Sequence, residues 1–325
     1  MKSHLHRKAT LLFGALLIIT IGGRAVSSGA AFFAYGQNRR EPHKSMGRPQ
    51  TAINSIPRPV SFREVPGRGL LVTTWINSAG PFTFAVDTGA GTTLVSTRVA
   101  DEAGISLRTG PGPSIAGLSG VLVAARSGSI QSLAIGDPQN FLPTQNEVIV
   151  TSGLPRDLDG LLDPNDAYGP FGYVIDLPGH ELSAFDPRRA PVRIDPQPEE
   201  GTVVPWLREG NTHRPFVALD TGERALLDTG SSLGLAVRDL DSGDGRRRAS
   251  AVRDVGGSLS TRRVGPRTVA IGSLTLRNVP TDMMTGAALD APVLLGLSAL
   301  RPFILRFDPL HRLIEIAPGV GRRSR

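Results

Sequence analysis

The chain of 325 residues contains no cysteine. That excludes a disulfide framework, a thiolate metal site, a cysteine nucleophile and lipid attachment to an N-terminal cysteine. Lysine is nearly missing as well: Lys2, Lys8 and Lys44 are the only three. Aromatic residues make up 5% of the chain. None interleave with the short basic runs Arg246-Arg247-Arg248 and Arg262-Arg263, so these read as solvated loops and no nucleic-acid partner is expected. Among the histidines only His4 and His6 are spaced as a ligand pair, and they lie in the N-terminal segment; His180 and His311 read as surface residues. No metal is expected. Gly89-Ala90-Gly91 lacks the third glycine or the Lys-Ser/Thr pair of a phosphate loop, and no cofactor is expected. Long amphipathic helices are missing too; Val95–Ala103 and Leu297–Leu300 are the two short candidates.

The net charge of +7 is confined to one end. Residues 1–50 carry eight basic side chains against the single acid Glu41, and the remaining 28 arginines are balanced by 28 acids. A basic start, Lys2 to Lys8, precedes the apolar stretch Ala9–Gly23 and then small residues, the order of an export signal. Residues 1–36 are therefore expected to be a signal peptide or an N-terminal membrane anchor. The anchor reading would associate the protein with a membrane through residues 9–35, at the cost of placing Arg24 in the span. Export without disulfides fits a bacterial periplasm or envelope, or the extracellular space. Residues 37–56, polar and broken by Pro42 and Pro49, read as a linker.

From Val60 the chain turns into short β-rich runs separated by Gly, Pro, Asn and Asp. Leu70–Ile76 and Phe82–Val86, with a turn at Asn77–Gly80, predict a hairpin that ends at Asp87. Further runs are Val121–Ala125, Ile130–Ile135, Glu147–Val150 and Tyr173–Ile175. The order then recurs. Leu133-Ala134-Ile135-Gly136 matches Val269-Ala270-Ile271-Gly272, and Leu161-Leu162 matches Leu294-Leu295. Pro170-Phe171 with Asp176 matches Pro302-Phe303 with Asp308. Two homologous halves joined within Pro191–Pro198 are the economical reading, with lobes over 57–190 and 199–319 and a basic tail at 320–325.

Within that frame Asp-Thr-Gly stands twice at the end of an apolar run, at Asp87-Thr88-Gly89 and Asp228-Thr229-Gly230. Two carboxylates brought within reach of each other cannot both ionise near neutrality, so one serves as general base while the other holds a proton. Thr88 and Thr229 offer a bracing hydroxyl, and Gly89 and Gly230 permit close backbone approach. A third triplet, Asp220-Thr221-Gly222, aligns with the turn at Asn77–Gly80 and reads as a turn. Gly230-Ser231-Ser232-Leu233-Gly234 spells the nucleophile elbow of serine hydrolases. His311 is the only histidine downstream and the strand–helix alternation of that fold is missing, so Ser232 is a distant alternative.

The paired loops resemble the retropepsin-like and pepsin-like aspartic proteases, over about residues 60–318. The resemblance rests on Phe84 to Ala90 with Thr92 and Thr93, on Leu226 to Ser232, and on Leu294-Leu295-Gly296. It implies an all-β acid-protease fold of two β-barrel lobes with the cleft between them. It also implies an aspartic endopeptidase in which Asp87 and Asp228 activate a water, supported by Thr88, Gly89, Thr229, Gly230 and Ser231. Ile115, Ala116, Gly117, Leu118 and Gly120 resemble a glycine-rich flap over a peptide or protein substrate, and Val255-Gly256-Gly257 holds the comparable place in the second half. The flap lacks the tyrosine of pepsin-type enzymes, so its contacts are expected to be apolar and backbone. Because one chain carries both loops, no obligate dimer is implied. A non-catalytic peptide-binding scaffold on the same fold is the alternative. The departure is Asp163, which stands where the pattern has glycine and could perturb the pair.

Overall fold

The computed structural model describes residues 55–143, 146–194, 201–209, 212–239, 250–288 and 291–319, together with two short strands, Leu12–Phe13 and Ile18–Thr20. Apart from those two strands, the expected leader lies outside the described residues, as do the basic tail and nearly all of the expected linker. Among the described residues no helix is long and apolar enough to cross a membrane.

The architecture is nearly all β, as the sequence predicts. Strand Gly69–Ile76 pairs antiparallel with Ala79–Val86 in the register Leu70 with Val86 and Val72 with Phe84. Asn77 and Ser78 make the turn with φ of 51° and 69°, the conformation of a two-residue hairpin. The expected turn at Asn77–Gly80 is therefore shorter, and Ala79 and Gly80 already belong to the strand. Strand Gly160–Leu162 then runs parallel beside Phe84–Val86 and antiparallel beside Leu94 and Val95.

The second half repeats this arrangement. Thr212–Ala218 pairs antiparallel with Arg224–Asp228, and Val293–Gly296 runs parallel to the latter and antiparallel to Leu235–Ala236. Asp220 sits in the hairpin turn, where its N–H donates to Ala270 O at 3.1 Å and its carboxylate accepts from Ala270 N at 3.3 Å. Asn77 bonds the backbone of Gln131 and Ser132 in the same way, which fixes the third triplet as a turn.

A six-stranded sheet joins the halves. Its middle pair is Gly172–Asp176 with Phe303–Asp308, antiparallel, with Val174 opposite Arg306. Each of those two residues lies three positions after the Phe of its own Pro-Phe repeat, so a residue meets its own counterpart there and the pseudo-two-fold axis passes between them. Tyr173 stacks on Phe307 with ring centroids 4.6 Å apart in the core beneath.

The strands leading to the two Asp residues are apolar at successive positions because both of their faces are covered. Val86 and Leu227 enter one large core that spans both halves, whereas Ala85 and Leu226 enter two smaller clusters. Those smaller clusters exchange members. Leu118, from the loop between Ser114–Ala116 and Leu122–Ser129, is buried with Phe216, Leu226 and Leu233 of the second half. Val255, from the loop between Ser250–Arg253 and Ser258–Ile271, is buried with Leu71, Ala85 and Leu161 of the first. Each such insertion is worth about 1.5–3 kcal/mol of apolar burial.

Candidate active site

Asp87 and Asp228 meet on the pseudo-two-fold axis, both fully buried. Parallel neighbours fix each loop. Asp87 N donates to Leu162 O at 2.9 Å, and Asp228 pairs with Gly296. Each carboxylate packs onto the other loop's glycine. A Cβ on Gly230 would lie 2.4 Å from Asp87 Cγ, and one on Gly89 would lie 2.9 Å from Asp228 Cγ. Only glycine permits that approach.

Four hydrogen bonds lock the loops together. Thr88 Oγ1 donates to Leu227 O at 2.6 Å and accepts from Thr229 N at 3.0 Å. Thr229 Oγ1 donates to Val86 O at 3.1 Å and accepts from Thr88 N at 3.2 Å. Each is a buried bond worth about 1 kcal/mol net, and more is lost when a partner is left unpaired.

The carboxylates are not equally served. Asp87 Oδ1 accepts one backbone N–H, from Gly89 at 2.8 Å. Asp228 Oδ1 accepts two, from Gly230 at 2.9 Å and Ser231 at 3.1 Å. Oδ2 of each is buried and takes no hydrogen bond from any protein donor. A shared proton, or a reacting water, is what such a pair of oxygens can accommodate.

Burial raises both acids. Asp87 stands well above its ordinary value, through burial first and the neighbouring Asp228 charge second, with the Gly89 N–H opposing and the Asp163 charge adding. Burial lifts Asp228 to about 7, against the Gly230 and Ser231 N–H groups and the Arg214 charge. The two titrate as a pair that retains one proton well above the ordinary carboxylate range.

All of the expected loop residues, Thr88, Gly89, Thr229, Gly230 and Ser231, gather around the pair. The expected flap residues meet the second half at their own tip. Ile115 and Ala116 are buried, Gly117 N donates to Val255 O at 3.2 Å, Leu118 O accepts from Ala288 N at 2.9 Å, and Gly120 N turns back to Gly117 O at 3.0 Å. Val255-Gly256-Gly257 forms the facing tip. The expectation of purely apolar and backbone contacts needs correction: the buried Asp254 carboxylate accepts from Ser119 N at 2.5 Å and Ser119 Oγ at 3.0 Å. The sequence analysis did not single out Asp254; its bonds to Ser119 form where the two tips meet.

Asp163 occupies the place next to Leu162 that Gly296 holds beside Leu295. It is buried, and its side chain accepts from Asn165 N at 3.0 Å as the N-cap of helix Pro164–Tyr168. Asp166 from that helix receives Thr93 N at 3.1 Å, a tie between the first loop and its support that the sequence reading missed. Arg214 was missed as well; it reaches from the second half to the first loop, its Cγ 3.4 Å from where a Cβ on Gly91 would stand. Ser232 sits on the second loop with its carbonyl accepting Ser298 Oγ at 2.7 Å, while His311 binds Asp308 at 2.8 Å in a turn of the joining sheet. Among the described residues no group of three or more His, Asp or Glu is placed to hold a metal.

Residues 72–162 match the model of a family described as aspartyl protease. The match runs from the first hairpin through Asp87 to Leu162 and supports a protease function for this chain. No curated protein matches it.

Proposed function

We propose that the chain is a two-lobed aspartic endopeptidase, with lobes over residues 57–190 and 199–319, that hydrolyses peptide bonds by a water activated between Asp87 and Asp228. The observation that carries this reading is the interlock of the two Asp-Thr-Gly loops, which holds two buried carboxylates together where they can share one proton.

The chemistry follows from that pair. The ionised carboxylate takes a proton from the water as its oxygen attacks the scissile carbonyl carbon. The protonated partner gives its proton to the carbonyl oxygen, and a tetrahedral diol results without a covalent bond to the protein. The carboxyl that took the water's proton then passes it to the leaving nitrogen. A diol hydroxyl returns its proton to the other Asp as the C–N bond breaks. The pair ends as it began. An extended peptide, held by backbone hydrogen bonds as an added strand, enters when the Leu118 and Val255 tips withdraw. The basic start and apolar stretch of residues 1–36 make this a protease of the cell envelope or the exterior.

Asp87→Asn and Asp228→Asn should each lower kcat on a mixed peptide pool by about 10²- to 10⁴-fold in mildly acidic buffer. Full activity in either variant would sink the shared-proton mechanism. Peptide affinity with no turnover from pH 3 to 8 in the wild type would favour a binding scaffold instead.

A further inference from the structure

The two halves place different residues beside their catalytic loops, at two matched positions. Where the second half has Gly296, the first has Asp163. A side chain at Gly296 is impossible without movement, since its Cβ would lie 2.6 Å from Leu233 O and 2.7 Å from Ser231 O. In the first half that position carries a buried carboxylate. The second exchange is on the strands that lead into the hairpins. Leu71 pairs with Ala85 and Phe216 with Leu226, both partners lying two residues before their Asp. Two residues further back, the first half has Gly69 and the second has Arg214. A Cβ on Gly69 would approach the second loop at Thr229 O, 3.6 Å away; the Arg214 side chain packs on the first loop at Gly91. The first half thus adds an acid beside the strand that supports its loop, and the second half adds a base that packs on that same loop.

We propose that Asp163 and Arg214 are positioning residues that make the two catalytic carboxylates unequal, favouring the proton on Asp87 and the charge on Asp228. This rests on the protease reading above for its consequence in catalysis, and on the matched positions for its geometry. The backbone donors already lean the same way, with one N–H on Asp87 and two on Asp228. The charge of Asp163 raises Asp87, and Arg214 lowers both Asp228 and Asp163. The other groups around them are few. Asp166 stands beside Asp163 on the same helix, His213 faces Asp166, Tyr173 lies beneath, and Glu209 pairs with Arg214. Asp163 and Asp166 also line a cavity of about 290 Å³ with His213 and Arg188, which gives this cluster a route to exchange protons with solvent. Asp228 is then the general base and Asp87 the general acid.

Two readouts test this, and only one needs turnover. In the pH profile of kcat/KM the base sets the acid limb and the acid sets the alkaline limb. Asp163→Asn removes the charge that raises Asp87, so the alkaline limb should move about one pH unit down; Arg214→Met should move the acid limb about one unit up. The same opposite shifts should appear in a ¹³C titration of aspartate-labelled protein, assigned with Asp87→Asn and Asp228→Asn. The double variant Asp163→Asn/Arg214→Met removes both buried charges together, so it keeps the test open if a single variant fails to fold, and it should show both shifts at once. Carboxyl titrations that shift as stated in a protein that cleaves nothing would uphold the pair and overturn the protease. Cleavage with both limbs and both titrations unmoved would uphold the protease and overturn the pair.

Discussion

The first Asp-Thr-Gly loop and the second reach one geometry with different materials. In the second half the loop is closed by its own backbone: Leu297 N donates to Ser231 O at 2.8 Å, Ser298 N to Leu233 O at 3.1 Å, and Gly296 N to Gly234 O at 2.9 Å. In the first half side chains take over, with Asp163 capping the helix and Asp166 receiving Thr93 N. Loop length explains the difference. Leu161 pairs with Leu94, but its counterpart Leu294 pairs with Ala236, so the second loop carries one residue more between its Asp and the following strand. The shorter first loop leaves room next to Leu162 for a side chain, and the longer second loop fills that room with carbonyls. A duplicated motif can therefore keep its geometry at the two carboxylates while its supports diverge.

The most damaging way to break this comparison is to make the supports alike. Gly296→Ala would press a methyl against two backbone carbonyls that cannot swing aside, and should cost about 3 kcal/mol of stability. Asp163→Gly removes a helix cap worth about 1 kcal/mol but also removes a buried carboxylate, so its net effect should be smaller. Urea midpoints of the two variants measure the gap. Equal losses would mean that the first loop is packed as tightly as the second.

The flap tips offer a milder test, since there the halves are alike. Leu118→Ala and Val255→Ala each empty a pocket in the opposite half, at a cost of about 2–3 kcal/mol for the leucine and less for the valine. If the tips open locally, amide exchange at Gly117, Ser119 and Ala288 should rise about a hundredfold for Leu118→Ala, while the rest of the core stays protected. Exchange that rises everywhere would show that the tips do not open independently of the fold.

What the sequence could reveal follows the same division. The dyad, the bracing threonines, the strand runs and the dismissal of Asp220 were legible because each repeats in register, and two copies of a pattern carry more than one. Strand limits moved where polar residues continue a ladder: Val121–Ala125 became Leu122–Ser129, and only Leu133–Ile135 of the run Ile130–Ile135 is strand. Helix Pro164–Tyr168 was missed because five residues show no periodicity, although Asp163 followed by Pro164 is a helix-start signal. Arg214 and Asp254 were illegible for a different reason. Each acts across the interface between halves, on a residue remote in sequence that the repeat does not pair with it.

The smallest expected effect is on stability against pH, and it too is unevenly shared. Asp87, Asp163 and Asp166 in the first half, and Asp228 and Asp254 in the second, all have raised values in the folded state, chiefly through burial. An acid that binds its proton more tightly when folded favours folding fully below its unfolded value, and that contribution is withdrawn as pH rises through the folded one. For Asp228 the window runs from 3.8 to about 7. Acidification from neutrality to about pH 4.5 should therefore raise the melting temperature, opposite to a protein held by ionised, paired carboxylates. The slope should flatten more with Asp163→Asn than with Asp254→Asn, because Asp163 is raised further and stands among three such acids whereas Asp254 keeps two hydrogen bonds from Ser119. A melting temperature that falls on acidification would mean that ionised, paired carboxylates elsewhere outweigh these buried acids.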